Sequence, residues 1–125
     1  MTLMVASPTR GKKRARHLRF IRSLPCCICG MVPSEAAHVR LNAAETGKLQ
    51  ALGQKPDDMW SVPLCAAHHR EDNEAQHRIG ERAFWAKHRI DPLALARLLF
   101  EATGTPELGE KISRQARRLA AQTNG

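Results

Sequence analysis

From Pro63 onward, apolar and polar residues alternate at the spacing of a helix. The pattern predicts helices over residues 66–76 and 81–89, the second carrying Phe84, Trp85 and His88. Asp91-Pro92 is a cap followed by proline at the first helical position, and it opens a leucine-rich helix to Phe100 that stops near Gly104. Thr105-Pro106 repeats that start signal. The last helix gathers Leu108, Ile112, Ala116 and Leu119 on one stripe, with Lys111, Arg114, Arg117 and Arg118 off it, the pattern of an amphipathic packing face. Upstream the helical period is lost: Gly30, Pro33, Gly47, Gly53, Pro56 and Pro63 punctuate short segments at 36–41 and 59–64, which read as a short hairpin plus a long loop. Leu18, Ile21 and Leu24 predict a short helix running into Pro25. The fold class is α+β, with Trp60, Phe84 and Trp85 expected in the core.

Composition changes this picture in two ways. At 125 residues the chain has the length of one domain, and its 42% hydrophobic content includes only 4% aromatic residues, so a further staple is expected beside the core. Lys and Arg number 20 against 12 Asp and Glu, and seven of these cations, Arg10, Lys12, Lys13, Arg14, Arg16, Arg19 and Arg22, fall in residues 1–24 with no acidic residue among them. A local basic arm of this kind favours a polyanionic partner, DNA first, and reads equally as a solvated arm and as a phosphate-contacting one through Lys12, Lys13, Arg14 and Arg16. No apolar run approaches the roughly 20 residues needed to cross a bilayer, and no secretory signal is evident, so a cytoplasmic protein without a membrane partner is expected.

The staple is visible in the cysteines. Cys26-x-x-Cys29-Gly30 is followed, 36 residues after Cys29, by Cys65-x-x-His68. Two such turns deliver three thiolates and an imidazole to the tetrahedral geometry that Zn2+ accepts. Cys27 is an open alternative to either neighbour. His38, His69 and His77 follow the same order along the chain and are candidates for chemistry.

The segments CCICG, EAAHVR, KPDDMWSVPLC and AAHHREDNEAQHRIGERAFW, in this order, resemble the zinc-containing branch of the HNH endonucleases, specifically the small phage and prophage nucleases of the recombination-enhancement type. The resemblance covers roughly residues 24–90. It implies a ββα-metal finger stapled by a structural zinc, with a second divalent ion, Mg2+ or Mn2+, serving hydrolysis of DNA phosphodiesters. His38 falls where the family places its general base, and His69 where it places a ligand of the catalytic ion. Ala37 stands where relatives often carry a further ligand. The last ligand of the relatives falls at Asn73, about 6 Å along a regular helix from position 69, whereas His77 lies about 12 Å along and serves only if residues 72–75 leave the helix. Asp58 is the positional counterpart of the family's loop-bracing Asn, and Arg40 is a candidate phosphate contact. The implied organisation is a basic arm at 1–24, the nuclease domain at 25–90 and C-terminal helices at 91–125. The expected partners are DNA and, through the resemblance, a recombinase or other DNA-bound protein. The alternative function is a zinc-stabilised DNA-binding module without catalysis.

Overall fold

The computed structural model describes residues 10–42 and 57–123. In chain order these form α1 (Arg10–Arg22), β1 (Glu35–His38), β2 (Ser61–Leu64), a single π turn (Ala67–Glu71), α2 (Gln76–Ile79), α3 (Glu81–His88), α4 (Pro92–Glu101) and α5 (Pro106–Thr123). The molecule is α+β, its sheet a two-stranded antiparallel pair among the described residues. The register sets Glu35 opposite Leu64, Ala37 opposite Val62 and His38 opposite Ser61. Of the long loop expected between the segments at 36–41 and 59–64, residues 43–56 lie outside the described residues.

The inner positions of the two strands and of the residue after β1 are apolar and fully covered. Ala37, Val39, Val62 and Leu64 lie under α1 and α4, which supply Phe20, Ile21 and Leu24 from one side and Leu93, Leu95, Ala96 and Leu99 from the other. Trp60, Phe84 and Trp85 join them, with the Phe84 and Trp85 rings edge-to-face at 5.0 Å. The basic segment is therefore built into the core through one face of α1, while Arg16, Arg19 and Arg22 stay exposed on the other. Asp91 caps α4 as its sequence suggests, accepting from the backbone N–H groups of Leu93 and Ala94.

The predicted helix over 66–76 is broken. The Asp72 N–H donates to the Ala67 carbonyl at 3.0 Å, the wide spacing of a π turn, and Asp72 then adopts an extended backbone (φ −69°, ψ 155°). Asp72 and Asn73 have low helical preference, and their short side chains compete for local backbone groups. The chain re-enters a helix only at Gln76.

α5 packs through a face rotated from its predicted stripe: Ile112 and Ala116 of that stripe lie against the core, but its two leucines do not. Gly109, Ser113 and Ala120 are the buried positions, whereas Leu108 and Leu119 are 45% and 55% exposed. Close approach decides the matter: a Cβ on Gly109 would lie 2.6 Å from Phe20 Cζ and 3.0 Å from Leu24 Cδ2. Gly109→Ala is expected to lower stability by about 1–3 kcal/mol through overpacking, although alanine is the better helix former by about 1 kcal/mol. Urea unfolding measures the sign.

α1 is pinned to the end of α4 by a buried histidine. Thr103 Oγ1 donates to the Phe100 carbonyl (2.7 Å), so it accepts from His17 Nδ1–H (2.7 Å), and His17 Nε2 is left buried without a partner. Burial, with the neighbouring Arg14 charge adding to it, lowers the His17 pKa from 6.5 to about 4. An unfolded chain takes up that proton below about pH 6.5 while the folded one resists it to about pH 4, so this group makes stability fall as pH drops through that window. Denaturant unfolding at stepped pH is expected to show a shallower decline over that range in His17→Leu.

Candidate metal centre and histidine site

Two loops converge on one point. Gly30, at φ +78°, lets the chain turn tightly after Cys29, with its N–H donating to the Cys26 carbonyl at 2.8 Å. The Ile28 N–H approaches Cys26 Sγ at 3.4 Å, a donor aimed at the sulfur. From the other side, the end of β2 and the π turn bring Cys65 and His68. The ligand atoms of Cys26, Cys29, Cys65 and His68 all lie within 4.8 Å of one another. Cys29 Sγ and Cys65 Sγ are 3.8 Å apart, and His68 Nδ1 lies 3.2 Å from Cys65 Sγ and 3.9 Å from Cys26 Sγ. Tetrahedral Zn2+, with bonds of about 2.3 Å to sulfur and 2.0 Å to nitrogen, spaces its ligands by about 3.8 Å (S···S) and 3.5 Å (S···N). The set has the spacing and softness of a structural metal site such as zinc.

Cys27 is outside this set. It is fully buried, its N–H donates to the Pro63 carbonyl at 2.9 Å, and burial pushes its thiol pKa well up, the state of a small apolar core residue. The knuckle is tied to the C-terminal helix by Arg117, which donates to the Cys26 carbonyl at 2.9 Å.

His69, next to the metal ligand His68, turns the other way. Its Nδ1 lies 2.7 Å from Glu35 Oε1 at the start of β1, and its ring centroid is 4.4 Å from that of His77. The break after Glu71 makes this pairing: it folds α2 back so that two imidazoles eight residues apart become neighbours. Asn73 does not join them and lines a cleft with His68, Asp72 and His88. Burial first, then the charges of His69 and Arg40, lower the His77 pKa, which favours its neutral, ligand-competent form. Arg70 grips Glu35 through both oxygens, at 2.8–3.2 Å, and with the His69 contact this holds the Glu35 pKa at about 2.

His38, at the far end of β1, has its own carboxylate partner. Its Nε2 lies 2.7 Å from Asp58 Oδ1, with both side chains about one-quarter exposed. Asp57 braces the same loop, accepting from the Met59 N–H at 3.0 Å. Arg14 turns inward onto Asp57, with Nε 2.8 Å from Oδ1, and onto the Phe100 ring, so its charge is met within the protein. Arg16 is exposed, whereas the side chains of Lys12 and Lys13 lie outside the described residues. Arg40 is exposed, and its backbone N–H is held by the Glu81 carboxylate at 2.8 and 3.0 Å. Ala37 is wholly buried and offers no group to this site. Glu35 carries no spacing signal in the sequence; only the cross-strand register with Leu64, one residue before Cys65, reveals it.

None of the helices formed by the described residues is long and apolar enough to cross a membrane. No solved structure matches the chain. It is similar to the Uncharacterized protein YdfU of Escherichia coli (strain K12), with 31% identity over 58 residues, 46% of this chain. The match spans 15% of the length of that relative. The family described as "Protein of unknown function (DUF968)" matches residues 2–103. With most of its length covered by that match, the chain belongs to the DUF968 family.

Proposed function

We propose that the chain is a zinc-stapled, metal-dependent DNA endonuclease of the ββα-metal type. The observation that carries this reading is the His69–His77 pair, 4.4 Å between rings, on the helical segment that follows an antiparallel strand pair carrying His38. Strand, strand and helix in that order are what a ββα-metal finger requires, and the zinc set braces the finger at its base.

The His38 side chain has the features of a general base. Asp58 can only accept, so Nε2 carries the proton and Nδ1 keeps a free lone pair when the ring is neutral. Nδ1 takes a proton from a water as that water attacks phosphorus; the P–O bond to the leaving strand breaks, and the departing oxygen is protonated from solvent. His69 and His77 would hold Mg2+ or Mn2+, which supplies charge stabilisation for the phosphorane-like transition state. Arg40 lies close enough to His77 to influence its charge and would contact a phosphate oxygen. The exposed arginines of α1, Arg16, Arg19 and Arg22, provide salt-dependent affinity for the DNA backbone, and a DNA-bound protein such as a recombinase would direct it further.

The second reading, a DNA-binding module without catalysis, draws on Ala37, whose burial leaves the ion site one ligand poorer than the resemblance implies. Plasmid nicking separates the two. Cleavage with Mn2+ or Mg2+ that is lost in His38→Ala is the expected result; binding without nicking, or nicking that survives the substitution at full rate, rejects the nuclease.

A further inference from the structure

Glu35 stands at the first position of β1, opposite Leu64 and so beside the turn that carries His69. Its four close contacts use the carboxylate fully. Oε1 meets His69 Nδ1 at 2.7 Å and Arg70 Nε at 3.1 Å, while Oε2 meets Arg70 Nε at 3.2 Å and Arg70 Nη2 at 2.8 Å. A carboxylate has about four lone-pair directions, so little of it remains to bind an ion directly. Arg70 acts as a fork that fixes the plane of the group, and a fixed carboxylate presents a fixed acceptor to the imidazole.

We infer that Glu35 is a positioning residue that sets the tautomer and orientation of His69, so that His69 meets a divalent ion through Nε2. The inference rests on the nuclease reading for the identity of the ion site and deepens it. An ionised carboxylate accepts only, so Nδ1 bears the proton and Nε2 keeps its lone pair, directed away from Glu35. A carboxylate behind a ligating imidazole is the usual way a metal site aims its ring, and it raises the basicity of the bound nitrogen. His77, in ring contact with His69, is then the second imidazole of the site. Two imidazole donors favour first-row ions such as Mn2+ over Mg2+. Glu35 thereby strengthens a site to which Ala37 contributes nothing.

The test uses the full-length, zinc-loaded protein. Side-chain 15N spectra of the neutral His69 ring are expected to show the Nδ1–H tautomer, shifting to a mixture in Glu35→Ala. Mn2+ titration followed by electron paramagnetic resonance is expected to show roughly 10- to 100-fold weaker binding in Glu35→Ala, with Glu35→Gln in between because its amide oxygen still accepts. Zinc content, unchanged in both variants, reports that the fold is retained. His69 found as the Nε2–H tautomer overturns the inference. So does an Mn2+ affinity that Glu35→Ala leaves within twofold, or wild-type protein that binds no Mn2+. Nicking by a wild-type protein whose Mn2+ affinity ignores Glu35 rejects the inference and leaves the nuclease standing; Glu35-dependent Mn2+ binding without any nicking does the reverse.

Discussion

Cys65→Ser, or exhaustive chelation of the wild-type protein, is expected to abolish cooperative folding at 25 °C. A structural zinc of this type contributes on the order of 10 kcal/mol of apparent folding free energy, comparable with the whole stability of a small domain at about 5–15 kcal/mol. The dependence should be severe here because the site joins distant parts of the chain: Cys26 and Cys29 precede the sheet, Cys65 and His68 follow it, and Arg117 of α5 is bonded to the Cys26 carbonyl. Cys27→Ser is the matched control. It keeps the four ligands and places a hydroxyl in a fully buried position, so it should retain one zinc per chain while losing about 1–3 kcal/mol. Metal analysis with circular dichroism and urea titration distinguishes the two, and a Cys65→Ser protein that folds with full zinc would refute the ligand assignment.

On the proposed nuclease reading, His38→Ala is expected to lower the nicking rate by about 10²- to 10⁴-fold, the usual contribution of a positioned general base. Zinc content and melting behaviour should be nearly unchanged, because His38 is partly exposed and touches neither the metal set nor the core centre. Asp58→Asn is the finer probe. Its amide can turn an N–H toward the ring, which would place the lone pair on Nε2 and the proton on Nδ1, the wrong way round for attack. A smaller loss of rate with DNA binding intact is the expected outcome in a gel-shift and nicking series. Equal rates for wild type and both variants would exclude a base at this position.

What could be read from the chain alone divides along a physical line. The four residues of the Cys3His cluster are legible because each pair is local, three residues apart, and because thiolates and imidazole together suit a soft tetrahedral ion such as zinc. Asp91-Pro92 and Thr105-Pro106 are legible for the same reason, since caps act within one turn. Which of Asn73 and His77 lies beside His69 is not legible, because a regular helix favours the nearer residue and only the extended backbone at Asp72 brings the farther one back. The signal in the sequence is the adjacent pair Asp72-Asn73, both poor helix formers. Glu35 was invisible because its role depends on which residue of β2 it faces. The leucine stripe of α5 misled in a different way: periodicity identifies where apolar groups lie, whereas the available gap beside Phe20 and Leu24 admits only the hydrogen of Gly109. Arg14, one of seven cations in a basic run, could not be told from its neighbours until Asp57 was placed beside it.

The π turn hands one imidazole to the sulfur cluster and the next to the opposite pocket. On the nuclease reading proposed above, a chelator added to stop strand scission would act twice, first by withdrawing the exchangeable ion and then, more slowly, by loosening the backbone that aims its ligands. Add-back of Mn2+ after brief treatment should restore cleavage, whereas after long treatment only Zn2+ followed by Mn2+ should do so, and the order of addition becomes a clock for which of the two has been lost.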